Sequence, residues 1–370
     1  MNNKISGRQL VRMMILFQIG SAVAIPLATS AKQDSWIVIF LGMVIGTGAT
    51  FIYSTIFNKS NGGNFTEILK EILGGKVGFF LSLIYIFYYI YIANRIINDF
   101  RIIIRSTALQ KTPDIMVILI MTIPAIYCAY LGIEAMGRGA VILNAITFTT
   151  IILITLFAFL NKLPKMERLL PVLEYGWEPI IKLLFPLAIT VPYGETITFL
   201  NIYPNVLESE INKVRKLSFI SNIIAGNALA FASIMSIATI SATIVEISVF
   251  PILKSIGVIQ IGTFIQRLDV FAILLLMLGG FYKILIFFYC SVEMTMTTFK
   301  LDNRYRNLVV ITLGIIVVFI SYMLKSNPVQ HFHVGLDIVP IYIHVPLQFV
   351  VPIFLLIIVL RRNKNRANIQ

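Results

Sequence analysis

The sequence predicts an all-α integral membrane protein of ten transmembrane helices, on three observations. Apolar residues fill 58% of its 370 positions and charged residues 13%, against roughly 45–50% and about 25% in soluble domains. Apolar runs long enough to cross a bilayer recur from one end of the chain to the other, and mean hydropathy is +0.88. The first and sixth runs are both broken, which divides ten spans into two halves of five. Paired broken spans point to an inverted-repeat solute-transport core with its site near the bilayer midplane.

The expected spans follow in order. The first runs from Leu10 to Thr29 and is interrupted by Gly20-Ser21-Ala22 and Pro26. The second, Trp36–Phe57, carries Gly42 and Gly46 at a spacing that permits close helix packing. Phe65–Leu73 has helical periodicity and reads as a short interfacial helix. The third span starts near Val77, and Arg95, Asp99, Arg101 and Arg105 mark its emergence from the membrane. Ile115–Leu131 and Ala140–Leu160 are the fourth and fifth, joined by a tight turn over Gly132–Gly139. A polar connector, 161–181, separates the pseudo-repeat halves, about 8–160 and 180–360, within a single transmembrane domain, 1–370.

The sixth span, Phe185–Tyr203, is broken by Val191-Pro192-Tyr193-Gly194-Glu195. Leu217–Ile240 is the seventh, followed by a half-apolar external region, Glu246–Gln266, that folds back as a short helix. The eighth span, Leu268–Thr298, holds Tyr282 and Lys283 at membrane depth. Leu308–Leu324 and Ile338–Leu360 complete the set.

Lys and Arg outnumber Asp and Glu by 30 to 17, a net charge of +13. The cations cluster between apolar runs, a pattern that fits anionic headgroups and not nucleic acid. The positive-inside rule puts both termini in the cytoplasm, although the Arg95–Lys111 cluster opposes that orientation. The amino-terminal stretch lacks the short apolar region and cleavage site of a removable signal peptide. Cys128 and Cys290 lie in apolar runs and indicate neither a disulfide framework nor a thiolate metal site. His331 and His333 sit two residues apart without a third ligand, and His344 lies in the last span, so solvated or packed histidines are expected and no metal. No phosphate-binding loop or nucleophile–base arrangement is present, and enzyme activity is not expected.

The candidate site gathers at the breaks. Pro192 cannot donate to the helical ladder, Gly194 relaxes the backbone, and Glu195 is a carboxylate at membrane depth. Such backbone survives in hydrocarbon only where protein or a watery cavity satisfies it. Backbone N–H groups at Gly20 and Ser21, with a half-helix dipole, form a candidate carboxylate nest. Glu195 can meet a ligand ammonium, a purine donor or Lys283. Tyr85, Tyr88 and Tyr89 share one face at three- and four-residue spacing, suited to stacking on a solute or to packing on a neighbour. Tyr282 beside Lys283 carries the same two readings.

The amino-terminal ISGRQLVRMMILFQIGSAVAIP, the connector LPVLEYGWEPIIK, the run VPYGETITFLNIYPNV and the late GGFYKILIFFYC together resemble the B subunits of bacterial spore nutrient-germinant receptors. Those proteins are similar to amino-acid/polyamine transporters with the five-plus-five inverted-repeat fold. The resemblance implies a membrane subunit in the spore inner membrane that binds a small nutrient, an amino acid or a nucleoside. It implies signalling through an A subunit and a C-subunit lipoprotein, with no cofactor. It places Gly20, Ser21 and Ala22 at the first break, Pro192, Tyr193, Gly194, Glu195 and Thr196 at the second, and Lys283 at a buried basic position. A cation-coupled amino-acid transporter is the alternative function.

Overall fold

The structure, a computed structural model, describes residues 4–107, 110–259, 269–324 and 327–367. Its elements are helical throughout, and eight helices among the described residues are long and apolar enough to cross a membrane. The outward faces are apolar: Phe87 is 69% exposed while its neighbours Tyr88 and Tyr89 are 3% and 0% exposed. Exposed Phe80, Ile142, Ile152 and Phe319 extend this surface. A helix that buries its polar residues and exposes phenylalanine is suited to hydrocarbon, where each backbone group must be bonded within the protein.

Helix α1, Gly7–Ile19, starts at a reciprocal cap in which Ser6 accepts from the Gln9 backbone and Gln9 accepts from the Ser6 backbone. It stops at Gly20, whose φ of −7° and ψ of −104° leave the helical region. Turns follow, then a tight 3-10 segment, Thr29–Asp34, and α2, Ser35–Lys59. The expected short helix is α3, Phe65–Leu73, capped by Asn64 and Glu67. Helix α4, Gly75–Thr107, runs 33 residues without interruption. Arg95 and Asp99, read from sequence as the point of emergence, therefore lie inside a continuing helix. Helices α5, Asp114–Leu131, and α6, Ile133–Leu160, are separated by Gly132 at φ +88°, so the turn is one residue and not eight.

After the connector comes α7, Glu178–Leu183. A wide turn, Leu184–Ala188, and a 3-10 segment, Gly194–Asn201, then carry the chain across the interior. The short α8, Glu208–Ile211, leads to α9, Val214–Ile240. Two short helices follow, α10, Ala242–Ile247, and α11, Pro251–Gly257. Helices α12, Asp269–Thr298, and α13, Arg306–Met323, are regular. Gln266 and Leu268, expected ends of the external region and of the eighth span, lie outside the described residues. The last apolar stretch, Pro328–Arg362, is made of α14, Pro328–His333, wide-turn stretches over Val334–Ile338 and Pro340–Val350, and most of α15, Val351–Ala367. It begins well before Ile338, because His331 and His333, read as loop residues, find partners in Asp99 and Asp337.

Ile5 pairs with the strand-like stretch around Val206, through Ile5 N–H to Asn205 O at 2.8 Å and Leu207 N–H to Ile5 O at 3.0 Å. Arg215 reaches Thr55 at 3.2 Å, Asn64 reaches Thr297 at 2.6 Å, and Arg362 reaches the Glu71 carbonyl at 2.7 Å. These bonds join the start of α9 to the end of α2, and α3 with its cap to α12 and α15.

Candidate functional site

The site is built where the two irregular segments cross α12. A Cβ on Gly20 would lie 3.0 Å from the Gly279 carbonyl oxygen and 3.1 Å from Lys283 Cβ, so α1 and α12 touch backbone to backbone at the break. This contact delivers Lys283 to the interior. Its ammonium lies 2.5 Å from Glu195 Oε2, with both side chains almost fully buried at 1% and 3% exposure. It also donates to Ser21 Oγ at 3.2 Å and stands 5.4 Å from the centroid of the Phe17 ring. The ammonium is thus held by a carboxylate, a hydroxyl and an aromatic face, each from a segment flanking a break.

The orientation of α1 changes the chemistry expected at Gly20. The end of α1 at the break is its C-terminus, where exposed carbonyls carry the negative end of the helix dipole. Gly20 N–H is already bonded to the Leu16 carbonyl at 2.8 Å. The end of α1 therefore favours a cation, which Lys283 supplies, and of the two N–H groups expected to form a carboxylate nest that of Gly20 is already taken.

The segment bearing Glu195 is seated on α2 through the two glycines of the second span. A Cβ at Gly42 would lie 2.7 Å from the Ala188 carbonyl oxygen, and one at Gly46 would lie 2.2 Å from Tyr193 Cβ. Tyr193 points into that contact and donates to the Ile39 carbonyl at 3.3 Å. Thr196 donates to the Tyr193 carbonyl at 2.6 Å and faces Thr50, which accepts from Asn222 Nδ2 at 2.7 Å. Gly194 is held from two sides. Its carbonyl accepts from Tyr53 at 3.1 Å, and a Cβ on it would meet Gln348 Oε1 at 2.1 Å.

A cavity of about 50 Å³ adjoins the ion pair, lined by Ser21, Arg95, Asp99, Glu195 and His344 among others. His344 shares its Nδ1 with the Tyr88 hydroxyl at 2.8 Å, and Gln348 donates to that hydroxyl at 2.7 Å. Above it, Asp99 bonds His331 Nε2 at 2.6 Å. A larger apolar cavity of about 120 Å³, with Gly20 and Gly279 in its wall, lies between α1, α6, α9, α11 and α12.

Of the residues singled out from sequence, Ser21, Glu195 and Lys283 are in direct contact, with Gly20 behind them. Tyr88 reaches the cavity wall through His344, and the remaining tyrosines and Ala22 point elsewhere. Ala22 packs in a separate apolar cluster with Leu27 and Val38. Tyr85 donates to the Leu347 carbonyl at 2.5 Å, Tyr89 packs on Phe287, and Tyr282 donates to the Met136 carbonyl at 3.0 Å, away from Lys283. Arg95, Asp99, His331 and His344 went unnoticed as a group. A signal for two of them was present: Tyr88, Ile92, Arg95 and Asp99 recur at four- and three-residue spacing on one face of α4.

Comparison with known proteins places this geometry in context. The family model described as "Spore germination protein" matches residues 4–329. The chain is 32% identical over 363 residues to spore germination protein KB of Bacillus subtilis (strain 168), covering 98% of this chain and 96% of that protein. It is 25% identical over 332 residues to spore germination protein A2 of the same organism, covering 86% and 88%. Among solved structures, the fold is similar to MhsT in complex with L-phenylalanine, with TM-score 0.65 at 11% identity over 97% of this chain and 99% of that one. It is also similar to MHP1, a nucleobase-cation-symport-1 family transporter in a closed conformation with bromovinylhydantoin bound, with TM-score 0.64 at 13% identity over 90% and 75%. The architecture is thus an all-α, multi-span membrane fold similar to that of these two structures, and the family is non-catalytic. With the family model matched along most of its length and a close relative matched end to end, the chain belongs to the spore germination protein family.

Proposed function

We propose that this protein binds a small nutrient solute, an amino acid or a nucleoside, in the cavity beside Glu195 and Lys283, and acts as the membrane subunit of a spore germinant receptor. The observation that carries the reading is the fully buried Glu195–Lys283 pair beside a polar cavity where two irregular segments cross. Charges at membrane depth are expensive and mark solute or ion sites. The proposal includes ten spans in two halves of five, about 8–160 and 180–360, joined by connector 161–181. Eight long apolar helices and two interrupted segments support that count. It also includes a place in the spore inner membrane, beside an A subunit and a C-subunit lipoprotein.

A cation-coupled amino-acid transporter is the second reading, and the likeness to a nucleobase-cation-symport-1 family transporter and to a protein in complex with L-phenylalanine supports it more directly than signalling. Reconstitution in sealed vesicles separates the two. Sensing without transport predicts no accumulation of solute above the external level under an imposed cation gradient. Saturable accumulation by this subunit alone would establish the transporter reading.

Two further results are expected. Glu195→Gln removes the charge but keeps a hydrogen-bonding group, and should raise the midpoint of the germinant dose response about 5- to 150-fold, equivalent to roughly 1–3 kcal/mol of charge-assisted bonding. An unshifted curve at matched protein abundance would remove Glu195 from the response. Both termini should face the spore core, in line with the basic connections at that end. Single cysteines placed beyond Arg362 and at Phe332 should label from opposite sides of an intact membrane, and labelling of both from one side would reject this topology.

A further inference from the structure

The charges around the cavity do not all have counterparts. Glu195 is paired with Lys283, and Asp99 with His331. Arg95, which lines the same cavity, has no carboxylate within ion-pair distance among the described residues. Its one protein hydrogen bond there is from Nη2 to the His331 carbonyl at 2.6 Å. The guanidinium is nonetheless seated, not trailing in solvent. A Cβ on Gly335 would lie 2.1 Å from its Nη2, so the absence of a side chain at 335 makes the space it occupies. Arg95 is half-buried, one helical turn from Asp99 and on the same face of α4 as Ile92 and Tyr88.

An arginine carries five donors in a planar fork that matches a carboxylate. Among the described residues, one of those donors has a protein partner here. The other candidate for an anion, the break after α1, presents a helix C-terminus and is occupied by Lys283. Lys283 is itself held by Glu195. Arg95 is therefore the cation left over for a ligand.

We infer that Arg95 recognises a carboxylate on the solute in the cavity it lines, so that the ligand class is a compact carboxylic acid and not a neutral nucleoside or sugar. This rests on the solute-binding reading and sharpens it. The cavity, about 50 Å³, has room for roughly three to five water-sized groups. A carboxylate with a short body fits without displacement of the last span.

The test uses the full-length protein in lipid nanodiscs, with L-amino acids, their α-carboxamides, inosine and D-glucose as probes. Affinity is read by titration of the thermal unfolding midpoint for the wild type, Arg95→Gln, Arg95→Lys and Glu195→Gln. At least one amino acid should stabilise the wild type, with its carboxamide about 10- to 100-fold weaker, the loss of charge-assisted bonds to the guanidinium. In R95Q the acid should weaken by a similar factor while the amide is unchanged, so the acid-to-amide ratio collapses. R95K should keep an intermediate ratio and decides the matter if R95Q does not fold. A purely structural Arg95 would alter the unliganded midpoint and leave the ratio intact, which overturns the inference. Equal binding of acid and amide by the wild type, or binding of inosine or glucose only, overturns it too. If E195Q weakens solute binding while the ratio persists in R95Q, the solute site stands and the role of Arg95 falls. If no probe binds the wild type, both fall.

Discussion

Lys283→Met should destabilise the protein by about 3–5 kcal/mol, the typical effect of removing one partner from a buried ion pair. The reason is geometric. Glu195 is 3% exposed and its nearest cation is the Lys283 ammonium at 2.5 Å, so the substitution leaves a buried carboxylate without its counter-ion. Glu195→Gln is milder, because the amide oxygen still accepts from the ammonium. The double variant E195Q/K283M removes both charges, and its loss should be smaller than the sum of the two single losses. Thermal unfolding of the four proteins in one lipid composition gives the coupling energy directly. Additive losses would mean that the two groups act independently, in conflict with their contact.

Gly46→Ala should be the next most damaging change, at about 1–3 kcal/mol. The new methyl group would lie 2.2 Å from Tyr193 Cβ and 2.6 Å from Cγ. These are atoms at the root of the side chain, which cannot swing aside without moving the backbone that carries Glu195. The same substitution at Gly48, where a Cβ meets nothing within 4 Å, is the matched control and should be nearly neutral. G46A should also weaken the germinant response, because Tyr193 and Glu195 are two residues apart. A G46A protein as stable and responsive as G48A would show that the close seating on α2 is not required.

Much of this architecture was legible in the sequence because bilayer hydrocarbon imposes a one-dimensional rule. Apolar length locates spans whatever their partners are, and α3 announces itself by an Asn64 cap and the periodicity of the residues after it. Glu195 and Lys283 stood out for the same reason, as charges inside apolar runs. What remained hidden depends on which face a charged residue turns inward. Arg95 and Asp99 read as the end of a span because charges usually mark water. In the fold they lie on the inner face of α4, where the last apolar helix supplies the His331 carbonyl and imidazole. The same misreading shortened that helix, since His331, His333 and Asp337 are paired within it or across to α4.

The glycines show a similar division. Gly42 and Gly46 declared by their spacing that something would approach closely, but not that it would be Ala188 and Tyr193. Gly20 declared a break, while the sign of the dipole there followed from the direction in which α1 runs into it. Tyr282 was expected to share a site with Lys283 because the two are adjacent. Neighbours on a helix point about 100° apart, and Tyr282 faces α6.

The claim that the solute occupies the cavity between Ser21 and Glu195 is tested most directly by protection of a cysteine placed there. Ser21→Cys, in a background with Cys128 and Cys290 replaced by alanine, is labelled with a small thiol reagent in spore membranes across a range of germinant concentrations. The labelling rate should fall as germinant is added, with a midpoint matching that of the germination response of the same S21C strain. A labelling rate that stays constant while those spores still germinate would contradict it.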